Sequence, residues 1–187
     1  EPVKDYAGIA SDFTSLMDNS PSHVGRTTGS DAIDTLIYLG STEMDGLKPV
    51  PRATPYFNNR IGRYVYTRSG GWIDMVHFIF YAGKAMEYQQ NKESAQKLLD
   101  SWTFFLMSPE AQFIITKTAI SNPVGEALQD GFLQERFDPV YSKYSYEDLP
   151  SDMFGADFAI NYFDPTSRAT LSEQLEGYLI DELGATI

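Results

Sequence analysis

The clearest hydrophobic pattern in the chain is an apolar run that follows a Gly-Gly pair near its middle. The segment Tyr64–Thr67 consists of aromatic and β-branched residues, which predicts a short strand. Gly70 and Gly71 then predict a turn. From Trp72 to about Gln90 there is no proline, and apolar residues fall on nearly every face. A helix of this kind is normally buried, so the pattern predicts a central core helix.

Helix-start signals predict further helices on both sides of this run. The segment from 113 to 120 is rich in β-branched residues, which is compatible with either a helix or a strand. We predict a helix there. The other predicted helices are 31–39 capped by Ser30, 93–107, a segment opened by Ser108-Pro109, 123–137 capped by Asn122, 152–163 capped by Ser151, and 171–183 behind a Thr170–Glu173 capping box. A surface turn is predicted at 89–92, and Ala95, Trp102 and Leu106 are assigned to the inward face of the helix at 93–107.

Taken together, these signals predict a mainly α fold, a single helical domain of about six helices built around the buried helix at 72–90. We expect one short strand or hairpin near 63–68. Residues 1–60 are rich in Gly, Pro, Ser and Asn, which predicts a long irregular N-terminal segment that wraps the helical core at 61–187.

Composition narrows the range of partners. Asp and Glu total 26 against 14 Lys and Arg, a net charge of −12, which disfavours nucleic acid and anionic membrane surfaces. We interpret the small basic cluster of Arg60, Arg63 and Arg68 as ordinary surface charge. No apolar run is long enough to span a bilayer, so membrane insertion is not expected.

The absence of cysteine excludes disulfides, thiolate zinc sites and a cysteine nucleophile. The chain has only two histidines, which excludes a three-histidine metal site. A divalent metal centre would therefore need mostly carboxylate ligands.

One acid and one histidine are set into the predicted central helix. Asp74, His77 and Tyr81 are spaced to share one stripe of that helix. Two interpretations of each side chain stay open. Asp74 is either a first-turn acid that interacts with the helix dipole, with Gly71 as N-cap, or part of a site. His77 is either a core histidine bonded to a carbonyl or a site residue. We expect it to be largely buried, with one hydrogen bond to a carboxylate or carbonyl, and we expect His23 to be more exposed.

Glu135 is the third candidate residue. It falls on the apolar face of the predicted helix 123–137, one turn beyond Gly131. An acid on an apolar face needs a partner because an unpaired buried charge is costly. It is either paired with Arg136 or Arg63, or it belongs to a site.

Glu147 is the fourth candidate. Ser145 and Asp148 have the spacing of a capping box, which explains Asp148 but leaves Glu147 without a local role. We therefore predict that Glu135 or Glu147, or both, contact the side chain of His77.

Two blocks of the sequence, GGWIDMVHF at 70–78 and SYEDLPSDMFGADF at 145–158, resemble a group of uncharacterised bacterial proteins. That group is associated with envelope lipoproteins and with cargo of contractile injection systems. The resemblance implies a bacterial effector or cargo, secreted or injected, with a secretion or injection apparatus as its partner. Some members carry a His-Glu pair on the intervening helix, whereas Glu135 has no histidine beside it here. The residues at matching positions are Asp74, His77, Glu147 and Asp148.

Two functions from different classes follow. The first is a general acid–base hydrolase acting on a polar polymer such as peptidoglycan, with His77, Asp74, Glu135 and Glu147 in its site. A metal-dependent form would use His77 and two carboxylates. The second is a non-catalytic cargo or interaction protein whose polar cluster is structural. Convergence of these side chains on an open cavity favours the first function; local capping and burial favour the second.

Overall fold

The computed structural model describes residues 10–57, 62–137 and 148–185, without the side chains of 10–12, 131–137, 148 and 149. Its α-helices are α1 (Ala10–Asp18), α2 (Gly29–Leu39), α3 (Thr54–Phe57), α4 (Met75–Leu99), α5 (Pro109–Ala119), α6 (Pro123–Phe137), α7 (Asp148–Asp157) and α8 (Leu171–Gly177). The strands β1 (Thr42–Asp45), β2 (Lys48–Pro51), β3 (Tyr64–Thr67) and β4 (Gly71–Asp74) form two antiparallel hairpins. Short 3-10 helices cover Val24–Arg26 and Trp102–Leu106, and π-helical turns cover Phe158–Tyr162 and Tyr178–Glu182. The fold is mainly α, as the sequence predicts.

The hairpin of β3 and β4 leads directly into α4. Tyr64 pairs with Asp74, and Thr67 pairs with Gly71 at the turn. Gly71 has a φ of +69°, which an L side chain rarely adopts. Asp74 then caps α4, because its Oδ1 accepts a hydrogen bond of 3.0 Å from the backbone N–H of Val76. The predicted hairpin is confirmed.

The bounds of the central helix differ from the predicted 72–90. Residues 72–74 belong to β4, since pairing with β3 satisfies their backbone groups and places Ile73 in the core. The N-cap is Asp74, not Gly71. The polar residues 89–92, predicted as a turn, contain no Gly or Pro to stop a helix, so α4 continues to Leu99.

The predicted helix at 93–107 is wrong as a separate element. Its first part is the end of α4, and its second part is the 3-10 helix at Trp102–Leu106. Trp102 and Leu106, which the pattern assigned to the inward face, are each 74% exposed. Ala95 is buried as predicted.

The core of the described structure surrounds the first half of α4. Between Met75 and Met86 every side chain is buried except His77 and Lys84. Helices α2, α5, α6 and α7 pack against α4. The prediction of a buried central helix is therefore confirmed for this half, and its all-round apolar pattern is explained by neighbours on several sides.

Two of these neighbours approach α4 at glycines. A Cβ on Gly83 would lie 2.1 Å from the carbonyl oxygen of Leu36 and 2.5 Å from the nitrogen of Gly40. A Cβ on Gly155 in α7 would lie 2.0 Å from the carbonyl oxygen of Phe78. These contacts are backbone against backbone, so a side chain at either glycine would force the helices apart.

The N-terminal segment is more regular than predicted. The stretch at 41–60, predicted to be extended, contains the β1–β2 hairpin and α3. Gly46, with a φ of +65°, makes the hairpin turn. Helix α2 begins at Gly29 and has Thr28 at its N-cap, so Ser30 lies inside the first turn and is not the cap.

Three of the predicted caps are confirmed because they depend on local chemistry alone. The Ser108 and Asn122 side chains accept hydrogen bonds from backbone N–H groups in the first turns of α5 and α6. Thr170 and Glu173 form both bonds of a capping box ahead of α8. The segment from 113 to 119 is helical, which settles the competition between helix and strand.

Helix α7 corrects the prediction of a helix at 152–163 capped by Ser151. The helix begins at Asp148 and passes into the π-helical turn Phe158–Tyr162, so Ser151 lies within it. Ser151 has a different role, because its Oγ accepts a 2.9 Å hydrogen bond from the backbone N–H of Asp74. The proposed capping box of Ser145 and Asp148 lies outside the described residues and side chains.

Across the described ranges, the helices are too short or too polar to cross a membrane.

Buried tyrosines should make the protein sensitive to alkali. Burial, and then the hydrogen bond that its hydroxyl donates to Asp157 at 2.8 Å, raise the pKa of Tyr178 well above its ordinary value of 10. Burial and a hydrogen bond to Asp130 raise the pKa of Tyr88 in the same way. Above about pH 10 the unfolded chain loses these protons while the folded protein keeps them, so stability falls as pH rises.

We expect the free energy of unfolding in urea to fall above about pH 10 by about 1.4 kcal/mol per pH unit for the buried Tyr178, and by less for Tyr88, which is only partly buried and screened by solvent. Tyr178→Phe should make this slope shallower by the contribution of one group. A free energy that stays flat up to about pH 11 would contradict the assignment.

Candidate functional site

The polar cluster at the start of α4 begins with Asp74. Its carboxylate is almost fully buried and accepts two hydrogen bonds from the guanidinium of Arg63, from Nε at 3.3 Å and from Nη2 at 3.2 Å. The same carboxylate caps the helix through Val76. Two parallel hydrogen bonds from one arginine compensate a buried carboxylate well for the hydration that it loses. Asp74 thus holds the N-terminus of α4 and the residue preceding β3 together.

Helix α7 adds the second half of the cluster. Ser151 is buried and accepts the backbone N–H of Asp74, which joins the start of α4 to α7. The next residue, Asp152, is buried with its side chain 1% exposed, and its Oδ1 lies 3.1 Å from Nδ1 of His77. The two helices are therefore joined by two polar contacts about one turn apart.

His77 is the part of the cluster that solvent reaches. Its side chain is 23% exposed, whereas that of Asp152 is buried. A hydrogen bond from Nδ1–H to a carboxylate fixes the tautomer and the orientation of the ring. The Tyr81 ring lies 6.3 Å from the imidazole, between centroids, on the next turn of α4. His23 is exposed, so the prediction that His77 is the more buried histidine agrees with the structure.

The four predicted site residues have different outcomes. Asp74 is the N-cap of α4 and not part of the predicted helical stripe; its carboxylate pairs with Arg63, while His77 contacts Asp152. The backbone of Glu135 lies in α6, while its side chain is outside the described part of the chain. Glu147 lies wholly outside the described residues. Contact of either glutamate with His77 therefore stays a prediction, and so does any catalytic role for the four.

The sequence did carry a signal for Asp152 that the capping interpretation concealed. Asp152, Gly155, Ala156 and Ala159 are spaced at helical intervals, and all four are buried. An acid on a stripe of small residues indicates a helix face in close contact with another element, where the acid needs a partner. The identity of that partner, 75 positions earlier in the chain, had no local signal.

Within the described ranges, no group of three or more His, Asp and Glu side chains is arranged to hold a metal ion. The metal form of the hydrolase hypothesis needs two carboxylates beside His77. It would therefore depend on Glu135 or Glu147, whose side chains lie outside that description.

A cleft large enough for a small ligand lies elsewhere, between α1 and α3. Its volume is about 510 Å³, within the range of small-molecule sites. The Tyr56 and Ser22 hydroxyls are hydrogen-bonded at 3.1 Å at this cleft. Among the described residues that line it, none is Asp, Glu, His, Lys or Arg. They are Leu16, Ser20, Pro21, Ser22, Pro55 and Tyr56.

Comparisons of this chain with protein-family models, with curated proteins and with solved structures found no match. The bacterial group suggested by the two sequence blocks therefore stays a prediction, and the function must be argued from the geometry of the described residues.

Proposed function

We propose that this chain is a non-catalytic protein that acts by binding. We further propose a structural role for its His77 cluster, which consists of Arg63, Asp74, His77, Ser151 and Asp152. The observation that carries this proposal is that the paired titratable side chains and the ligand-sized cleft lie in different places in the described structure. In the part of the chain that the structure describes, Asp74 pairs with Arg63 and His77 with Asp152 near the contact of α4 and α7, while a ligand-sized cleft lined by uncharged residues lies between α1 and α3. Catalysis of the expected kind needs both at one place, because a general base must reach its substrate.

The pairing itself supports a structural role. Asp74 is engaged by Arg63 and by the helix N-terminus, so its lone pairs are largely committed. Ser151 and Asp152 join the start of α4 to α7. A polar network of this kind specifies one arrangement of two packed helices. The setting as effector or injection-system cargo rests on the sequence resemblance alone.

A second candidate is the general acid–base hydrolase. One observation favours it: a buried carboxylate, Asp152, orients a histidine that is partly exposed. The same division of roles occurs wherever a carboxylate holds an imidazole that acts as a base. Here His77 would be the base and Asp152 its positioning residue.

The two candidates predict opposite results for His77→Asn. The asparagine amide can occupy the position of Nδ1 and donate to Asp152, but it cannot act as a base. If the cluster is structural, His77→Ala should lower the free energy of unfolding by about 2–3 kcal/mol, and His77→Asn should recover most of that loss. His23→Asn, at an exposed site, is the control and should change stability by less than about 0.5 kcal/mol.

Purified peptidoglycan should be incubated with the wild type and with His77→Asn, and soluble fragments measured. We expect no release above buffer from either protein. Release by the wild type, lost in a folded His77→Asn, would overturn the proposal and establish the hydrolase.

A further inference from the structure

The described surface has one concentration of exposed apolar side chains, formed by the 3-10 helix Trp102–Leu106 and α5. Six large apolar residues between 102 and 120 are 62–78% exposed. They are Trp102, Phe105, Leu106, Phe113, Ile114 and Ile120. The two elements are joined, since the Gln112 side chain donates a hydrogen bond of 3.0 Å to the carbonyl of Phe104. We call these six residues the α5 surface.

The size of the α5 surface exceeds what a monomer normally exposes. Its three aromatic side chains alone expose about 400 Å², given the area that such rings carry. With the three aliphatic side chains the total reaches about 700 Å², above the roughly 300–600 Å² of the largest patch on a typical monomer. It approaches the roughly 800 Å² per partner of a stable protein–protein interface.

The outward stripe of α5 is also self-complementary. Glu110, Phe113, Ile114 and Lys117 follow each other at i, i+3, i+4 and i+7, and all four are exposed. If a second α5 packs antiparallel across a two-fold axis between positions 113 and 114, each Phe113 meets an Ile114. Each Glu110 then meets a Lys117. The interface is isologous, as in most homodimers.

Charge permits this contact despite the net charge of −12. Between residues 101 and 125 the charged residues are Glu110 and Lys117 alone, one of each sign, so this stretch carries no net charge although Asp100 and Glu126 flank it. Two copies can therefore meet here without the repulsion that the rest of the chain would impose. A parallel arrangement would put like charges together, which selects the antiparallel one.

We propose that the α5 surface is a homodimer interface, in which α5 packs antiparallel against α5 of a second copy of this chain. The proposal is independent of the proposed function, because α5 contributes no residue to the His77 cluster. The partner is a second copy of this chain because the same stripe of α5, running in the opposite direction, supplies both the apolar partner and the charged partner of each residue.

Sedimentation equilibrium of the purified chain over a wide concentration range tests the proposal. We expect a monomer–dimer equilibrium. Phe113→Ser should raise the dissociation constant about a hundredfold, since two symmetric apolar contacts are lost. Leu47→Ser is the matched control: Leu47 is 99% exposed but lies away from the surface, in the β1–β2 turn. It should leave the dissociation constant unchanged.

Charge reversal gives the sharper test of the antiparallel arrangement. Glu110→Lys and Lys117→Glu should each raise the dissociation constant about tenfold, because each puts like charges together twice per dimer. The double variant should restore wild-type affinity. An equimolar mixture of the two single variants should also associate, since every pair across that mixed dimer has opposite charges.

Circular dichroism should show that all of these variants are folded. A wild type that is monomeric at every concentration would overturn the proposal, and so would single charge variants that dimerise as well as the wild type. Failure of the double variant or of the mixture to recover affinity would overturn the antiparallel arrangement, and with it the proposal.

Discussion

Replacement of Gly155 by alanine is expected to destabilise the protein by about 3 kcal/mol or more. The new Cβ would lie 2.0 Å from the carbonyl oxygen of Phe78 and within 3 Å of two further backbone atoms of that residue. Backbone atoms cannot rotate away as a side chain can. Helix α7 would have to move away from α4, and the contacts of Ser151 and Asp152 would be lost with it.

Urea unfolding of Gly155→Ala measures this effect, with Gly125→Ala as the matched control. A Cβ on Gly125 would meet the Asn122 side chain at 3.6 Å or more, which is ordinary contact. Alanine is the better helix former, so Gly125→Ala should raise stability by up to about 1 kcal/mol. Wild-type stability in Gly155→Ala would show that α4 and α7 do not approach as closely as described.

Replacement of Asp74 by alanine is expected to lower the free energy of unfolding by about 3 kcal/mol. The change removes the N-cap of α4, worth about 0.5–2 kcal/mol, and leaves the Arg63 guanidinium without its buried carboxylate. Asp74→Asn separates these contributions, because the amide oxygen can still accept from Val76. It should cost about half as much.

Asp31→Ala is the control for Asp74. Asp31 is also an acid in the first turn of a helix, but it is exposed, so its loss should change stability by less than about 0.5 kcal/mol. Equal losses for Asp74→Ala and Asp74→Asn would mean that the cap contributes nothing. A loss below about 0.5 kcal/mol in both would remove the structural interpretation of the cluster.

The helix starts at Ser108, Asn122 and Thr170 could be predicted because a cap is formed by residues within one turn of each other. The end of α4 could not. A polar run marks where a helix leaves the core as well as where it stops, and without Gly or Pro the pattern does not distinguish the two; α4 itself ends at Leu99 with neither residue close by. The same ambiguity assigned Trp102 and Leu106 to the inward face of a helix, since amphipathicity does not say whether another part of the chain covers that face.

The candidate site was predictable to the same limited extent. His77 stood out because a titratable side chain on an all-apolar helix needs a partner. Its partner Asp152 comes from a helix far along the chain, and no periodicity specifies which acid is brought there by the fold. Asp74 was predicted to be either a first-turn acid behind a Gly71 N-cap or a site residue; the structure makes Asp74 itself the N-cap and pairs it with Arg63.

Because α4 is unevenly buried, its two halves are expected to exchange their amide hydrogens at different rates. From Met75 to Met86 it is enclosed on nearly every side, whereas from Glu87 to Leu99 only Ala95 is buried. Amide hydrogens in the enclosed turns can exchange with solvent only when the whole core opens, because no smaller opening frees them. Those in the outer turns exchange whenever the exposed end frays. Helix α5 is hydrogen-bonded to this outer half, where the Gln96 side chain donates to the carbonyl of Ala119, so this link is expected to open when the exposed end frays.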